Sequence, residues 1–343
     1  MRVWIDLVNS PHVIFFLPII KRLEQSGIEV EITYRDFAQT AQLVKQHTLG
    51  ATLIDGHGGK NKLAKVFNLI ARTVSLVRYA KSKKFDVALS HNSYFQLAAA
   101  KLLGIPSLTS MDFEGQPANH IAFRLASIVS LPTAFPQQSA LKFGAKQIRR
   151  YSGLKEDICL ADFQKTANYS SVIQEAFALS ENEMRKPLVV VRPPPTLALY
   201  HNNDESFFDL CLTRLCEIDV TVLVLPRVES QKVALESKFP NFKFSQRVLD
   251  GLQLVNCADA VISGGGSMNR EAACLNTPAY TLFSGELPNV DKQLEKQGLL
   301  IALNNELQIK NLDIKKKETV RNAANQQAIS DFMSHINELK QAG

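Results

Sequence analysis

The chain has 343 residues, 45% of them hydrophobic, and a formal charge of +6 at pH 7; that length exceeds one ordinary core and suits two globular domains. No apolar run is long enough to span a membrane and the N-terminus starts at once with VWIDLV, so a cytoplasmic protein without a signal peptide is expected. The cysteines Cys159, Cys211, Cys216, Cys257 and Cys274 form no CxxC pair and the histidines no HxH or HExxH, which argues against a disulfide framework and against a metal site.

Val3 to Val8 reads as a strand, Asn9-Ser10-Pro11-His12 as the turn after it, Val13 to Gln25 as a helix ended by Gly27, and Val30 to Thr33 as the next strand. This begins a βαβ alternation and predicts an α/β fold with parallel sheets. Ligands of open parallel sheets sit at the carboxyl ends of strands, which puts Asn9, Ser10 and His12 on the ligand side. His12 suits a general base or a hydrogen-bond donor; the structural alternative is a cap after a strand. Between Asp55 and Asp86 there is no acidic residue, while Lys60, Lys62, Lys65, Arg72, Arg78, Lys81, Lys83 and Lys84 alternate with apolar residues at helical spacing. A basic amphipathic helix from Lys60 to Lys84 fits an anionic membrane surface, and equally a helix packed on a sheet with its bases in water. Nothing in this stretch resembles a nucleic-acid-binding motif, so no nucleic-acid partner is expected.

Phe85 to Ser90 is the next strand, followed by His91-Asn92-Ser93, a small-residue helix from Phe95 to Leu103 stopped by Gly104, a strand from Ile105 to Ser110, and the turn Met111 to Gly115. Asp112 and Glu114 in that turn can divide acid and base roles or cap the following helix. A basic run, Lys142 to Arg150, precedes YSGLKEDICLADF, which leads toward a second domain with a boundary near Phe163. Gln164 to Lys186 reads as polar and helical.

The second domain opens with a strand, Leu188 to Val191, and Arg192 stands at its carboxyl end before Pro193-Pro194-Pro195. The rigid prolines are expected to fix where Arg192 points. It fits either a bidentate contact to a diphosphate or an interdomain salt bridge. Tyr200 and His201 follow, suited equally to lining a cleft or to packing. Strands at Thr221 to Leu225, Phe242 to Phe244 and Ala260 to Ile262 lead to Gly264, Gly265 and Gly266, then a helix from Ser267 to Leu275 stopped by Asn276-Thr277-Pro278. The glycines remove every Cβ where backbone N–H groups meet a ligand, and the helix adds its positive end, a combination suited to phosphate. Glu271, one turn past Ser267, can accept hydrogen bonds from sugar hydroxyls. Asn289 to Gly298 is a further helix, and the tail from Asp313 to Gly343 reads as charged and helical.

GGGSMNREAACLNTP resembles the nucleotide-sugar loop of GT-B-fold enzymes, including the lipid-linked GlcNAc transferase of peptidoglycan synthesis and the non-hydrolysing UDP-GlcNAc 2-epimerase. The whole chain resembles the family called domain of unknown function 354, through WIDLVNSPHVIFFLPII, YSGLKEDICLADF, VVVRPPPTLALYH and the glycine loop. The resemblance implies a GT-B-like architecture of two Rossmann-like domains facing a central cleft. Residues 1–163 would form the acceptor side, 164–325 the nucleotide-sugar side, and 326–343 a helix crossing back to the first domain. It implies a glycosyltransferase using a nucleotide-diphosphate sugar, such as a UDP-sugar, in cell-surface polysaccharide or glycolipid synthesis, without cofactor or metal, with a lipid-linked or saccharide acceptor and, where the acceptor is lipid-linked, a place at the inner face of the membrane. Two alternatives stay open: a nucleotide-sugar 2-epimerase, and a non-catalytic nucleotide-sugar-binding protein. On this reading His12, Asp112 and Glu114 are catalytic, Arg192, Gly264, Gly265, Gly266, Ser267 and Glu271 hold the nucleotide diphosphate, and Asn9, Ser10, His91, Asn92, Tyr200 and His201 line the cleft. NSPH replaces the glycine-rich loop common after the first strand, and VRPPP replaces the epimerase's HRRE-type motif.

Overall fold

Continuous Val, Ile and Leu runs, unlike alternating ones, call for burial on both faces of a sheet, and the computed structural model contains two such sheets. It describes residues 1–341 apart from 38, 55–61, 195–203, 248, 284 and 319–324, and no side chains in 62–69, 204–206 and 340–341. The chain divides into two compact units, one of residues 1–161 with 325–343 and one of residues 162–324.

The first unit holds β1 (Arg2–Leu7), β2 (Glu29–Tyr34), β3 (Ala51–Leu53), β4 (Val87–His91), β5 (Ser107–Ser110), β6 (Ile128–Pro132) and β7 (Ile148–Tyr151). The second holds β8 (Leu188–Arg192), β9 (Thr221–Val224), β10 (Lys243–Phe244), β11 (Ala260–Ser263), β12 (Ala279–Thr281) and β13 (Leu300–Ala302). The orders are β3-β2-β1-β4-β5-β6-β7 and β10-β9-β8-β11-β12-β13, and every pair is parallel. Both are doubly wound. The order reverses between β1 and β4 in one sheet and between β8 and β11 in the other, and crevices open at the carboxyl ends of such strand pairs.

In the first unit Val3, Ile5 and Leu7 of β1 pack with Phe15, Phe16 and Ile19 of the helix Ser10–Gln25 and with Phe332 and Ile336 of the terminal helix Gln327–Gln341. In the second, Val189 and Val191 of β8 pack with Leu212, Val224 and Ile262. The terminal helix also ties to the first unit through polar contacts: Ser130 Oγ lies 2.9 Å from His335 Nδ1, and Arg149 pairs with Glu338.

Three readings need correction, and one strand was not anticipated. The turn Asn9 to His12 is the start of a helix: Asn9 caps it, its Oδ1 accepting from Ser10 N at 2.9 Å, with Pro11 in the first turn, so His12 is helical. Gln164 to Lys186 is two short helices, Tyr169–Ala176 and Glu181–Arg185, separated by Ala178 at φ +52°, a left-handed break that composition does not announce. The tail is helical only over Gln327–Gln341 among its described residues. The basic run before YSGLKED ends in a strand, β7, whose Arg150 donates to the Pro132 carbonyl at 3.0 Å; its charges hide its strand character.

Candidate functional site

At the first sheet's reversal point, β1 delivers Asn9 and His12 and β4 delivers His91 and Asn92, and these four line a cavity of about 300 Å³ together with Lys155. The His12 and His91 rings lie 4.9 Å apart between centroids, and Phe15 meets His91 edge-on at 5.2 Å. Burial, then the neighbouring His91 and Lys155, pushes the His12 imidazolium well below its ordinary range. Burial takes His91 down to about 4, against the pull of Asp112. Both rings are therefore neutral at pH 7, and His12 Nδ1 and His91 Nε2 are buried without a hydrogen-bond partner.

Asp112 is 5% exposed and sits with this group. Its Oδ1 lies 3.6 Å from His91 Nε2, and its Oδ2 accepts from Lys155 Nζ at 2.9 Å. Lys155 also lies 3.4 Å from Glu156 Oε1. Burial alone would favour the neutral amine, but Glu156 and Asp112 outweigh it and hold the ammonium charged. Tyr151, fully buried, feels the charges of Asp112 and Glu156, and burial raises its phenol. Glu114 is half-buried and does not line the cavity. Neither acid caps the next helix, which starts at Asn119 after Ala118.

Beneath the cavity Asp6 is fully buried and gripped by the Arg72 fork, Nη2–Oδ1 at 2.8 Å and Nη1–Oδ2 at 3.0 Å. Thr33 Oγ1 donates to Asp6 Oδ1 at 2.8 Å and Ser93 Oγ to Oδ2 at 2.5 Å. Ser93 is the cap of the helix Tyr94–Leu103, so this network fixes the turn carrying His91 and Asn92. Arg72 thereby leaves the set of surface bases predicted between Lys60 and Lys84. Lys60 lies outside the described residues, and Lys83 pairs with Glu31 at 2.9 Å. Among the described side chains of that helix, Lys62–Lys81, Ile70 and Val74 point outward, 58% and 40% exposed, along with Arg78 and Lys81.

At the second sheet's reversal point, β11 runs into Gly264, Gly265 and Gly266 and the helix Ser267–Cys274. Gly265 and Gly266 have φ of +99° and +101°, a region that disfavours other residues. A Cβ on Gly264 would lie 3.1 Å from Pro194 Cβ, whereas one on Gly266 would meet nothing within 4 Å. Gly266 and Ser267 are exposed, which leaves the helix start open to a ligand, and Glu271 is half-buried one turn on. Ser263 Oγ organises the loop, accepting from Gly265 N at 3.1 Å and pairing with Asn269 at 2.9 Å. Arg270 forks onto Asp291 of the helix Asn289–Lys296, with Nε–Oδ1 at 2.7 Å, and so anchors the glycine-loop helix from behind.

Arg192 stands at the end of β8, beside the loop. Its direction comes from the carbonyls of Leu225 and Pro226, to which Nη1 donates at 2.9 and 3.2 Å, and not from the prolines alone. Arg227, after β9, donates from Nε to the Pro193 carbonyl at 2.9 Å. Each side chain thus bonds a carbonyl next to the other residue in the chain, and burial and then Arg227 lower the Arg192 pKa, a repulsion that an anion relieves. Tyr200 and His201 lie outside the described residues. Among the described residues no cluster of three or more His, Cys, Asp or Glu could hold a metal ion.

Lys155, Glu156 and Tyr151 were not in the predicted site. They come from YSGLKEDICLADF, where Lys155 and Glu156 stand side by side and no spacing marks them as turning inward with Tyr151. Arg227 was likewise missed, although it shares with Arg192 a position just after an apolar strand.

Comparison with known proteins agrees with this architecture. The structure of a UDP-GlcNAc 2-epimerase from Methanocaldococcus jannaschii superposes with a TM-score of 0.74 at 15% identity, covering 98% of this chain and 100% of that one. The MurG of Acinetobacter baumannii gives 0.60 at 18% identity, covering 100% and 99%. The fold is thus GT-B-like. In sequence, the chain is 29% identical over 150 residues to an A. baumannii UDP-N-acetylglucosamine–N-acetylmuramyl-(pentapeptide) pyrophosphoryl-undecaprenol N-acetylglucosamine transferase, 40% of this chain and 41% of that protein. It is 30% identical over 313 residues to the uncharacterized protein MJ0665 of M. jannaschii, 89% of this chain and 88% of that protein. Residues 1–338 match one family model, and the chain belongs to that family, described as protein of unknown function (DUF354).

Proposed function

We propose that this protein is a glycosyltransferase that takes a glycosyl group from a nucleotide-diphosphate sugar, a UDP-sugar being the first to test, and serves cell-surface polysaccharide or glycolipid synthesis. The observation that carries the reading is the exposed start of the helix Ser267–Cys274, with Arg192 on the strand paired to Ser263 and Arg227 bonded to the Pro193 carbonyl next to it. Two guanidinium groups and a helix N-terminus favour a diphosphate, and favour it more as negative charge grows on it during departure. Glu271 would accept from the ribose hydroxyls. In the first unit, His12 would take the acceptor's proton at Nδ1 as the acceptor oxygen bonds to the anomeric carbon and the bond to the diphosphate breaks, its electron pair leaving with the phosphate oxygen. A neutral imidazole is the form that a general base requires. Asp112, held by Lys155, would stabilise the imidazolium across space, since its carboxylate favours the charged form of both rings. The cationic groups at the diphosphate make the reaction metal-independent. The same reading includes contact with an anionic membrane through the outward Ile70, Val74, Arg78 and Lys81.

A second reading, 2-epimerisation of the nucleotide sugar, is favoured by one observation: His12, His91, Asp112 and Lys155 supply more than one acid–base group around a single cavity. The test is incubation of the purified chain with UDP-, GDP-, TDP- and CMP-sugars without acceptor, read by NMR and mass spectrometry. Intact, bound donor is expected. A C2 epimer or an elimination product would replace the transferase reading with the epimerase one, and binding of none would overturn both.

A further inference from the structure

We propose that the cavity of the first unit holds one uncharged sugar ring of the acceptor, stacked on Phe37. This rests on the reading of that unit as the acceptor side and goes beyond it by naming the ligand's class.

Unsatisfied atoms come first. His12 Nδ1, His91 Nε2 and Asn92 Oδ1 are each buried without a hydrogen-bond partner, all three residues line the same cavity, and His91 and Asn92 are 6% and 8% exposed. The 3.6 Å from His91 to Asp112 is too long for a hydrogen bond. Orphaned buried polar atoms are rare because each costs free energy, so three on residues that line one cavity point to a ligand that supplies their partners. Neighbouring hydroxyls both donate and accept, and fit a mixed set of this kind.

Charge comes second. The ammonium lining the cavity, Lys155, is already held by Asp112 at 2.9 Å and Glu156 at 3.4 Å, and the Arg35 guanidinium lies over the Phe37 ring at 5.3 Å. With both imidazoles neutral, an anionic ligand at Lys155 would have to compete with the two carboxylates already on it, and a neutral one would not.

Shape comes third. A cavity of about 300 Å³ lies at the small end for ligand sites, room for a single ring. Phe37 is 50% exposed yet lines it, and its loop is fastened on both sides. Phe37 N donates to Arg35 O at 3.0 Å, Thr40 N donates to Phe37 O at 3.1 Å, and Gln39 N donates to Ser10 Oγ at 2.9 Å. That last bond ties the loop to the helix that carries His12. A half-exposed aromatic face beside a polar pocket suits the C–H face of a pyranose, which is apolar while its rim is hydroxylated.

The experiment is saturation-transfer NMR on the full chain, without nucleotide, using the methyl glycosides of glucose, galactose, mannose and N-acetylglucosamine against glucuronate and glucose 6-phosphate. At least one neutral glycoside should receive saturation, strongest on one ring face. Phe37→Ala should weaken it about fivefold to tenfold, as loss of an aromatic contact does, and Phe37→Tyr should retain it. Binding of none, preference for the anionic sugars, or unchanged affinity in Phe37→Ala would each overturn the inference. Calorimetry with UDP-sugars on the same preparations separates the two ideas. Donor binding and turnover without glycoside binding would sink only this one, and glycoside binding without donor binding would sink the transferase reading.

Discussion

A buried histidine kept neutral makes folding answer to pH, and His91 is such a residue. Its native imidazole titrates near 4 against an ordinary 6.5. Between those values the unfolded chain takes up a proton that the native state refuses, so stability is complete above pH 6.5 and falls as the pH drops toward 4. The gap corresponds to about 3 kcal/mol across that window, and His12, shifted in the same direction, adds to it. His91→Asn should flatten the pH dependence of urea-unfolding free energy relative to wild type, and parallel curves would refute this. Asp6 supplies a second case. Its carboxylate is fully buried against Arg72, so Arg72→Met strands a charge, at a cost of about 3–5 kcal/mol. A loss below about 1 kcal/mol in the same assay would mean that Thr33 and Ser93 satisfy Asp6 without it.

At the scale of elements, the glycine loop and the basic helix carry different kinds of risk. Gly266, at φ +101° and ψ −166°, occupies backbone space open essentially to glycine alone, where another residue costs about 1–3 kcal/mol. Because a Cβ there meets nothing within 4 Å, Gly266→Ala should lower the melting temperature only modestly, while the strained, displaced N–H groups lose nucleotide-sugar affinity. Calorimetry showing wild-type affinity would remove the loop from the donor site. The helix Lys62–Lys81 inverts the usual economy of a surface helix by turning Ile70 and Val74 outward and Arg72 inward. If that face meets a membrane, Ile70→Asp with Val74→Asp should abolish flotation with anionic liposomes, since each nearby base contributes about 1 kcal/mol and the apolar pair the rest. Wild type that fails to float with liposomes at low salt would dispose of the membrane contact.

Over the whole molecule, what is legible in the sequence is what lies close along the chain. The glycine loop, its helix and Glu271 fall within the eleven residues from Gly264 to Cys274, and the segment after β1 and Arg192 announce themselves by following apolar strands. Strand order, and with it the two reversal points, is invisible until pairing is known. Lys155 reaches Asp112 across 43 residues, and no spacing rule links them. Short strands such as β3 and β13, three residues each, leave too little pattern to read. The two reversal points lie in different units, each with its own core, and this gives the last prediction. Substitutions in the second unit should act on donor binding, and those in the first on turnover without loss of donor binding. Arg227→Ala and Glu271→Ala should weaken donor binding, raising KM, with a further fall in kcat where Arg227 meets charge that grows only in the transition state. His12→Asn and Asp112→Asn should leave the donor dissociation constant unchanged and lower kcat by about 100-fold or more, the usual worth of a general base. Chelation with EDTA should leave all these values in place if the guanidinium pair and helix hold the diphosphate. A loss restored by magnesium would assign that charge to a metal, and full turnover by His12→Asn would move the base elsewhere in the cluster.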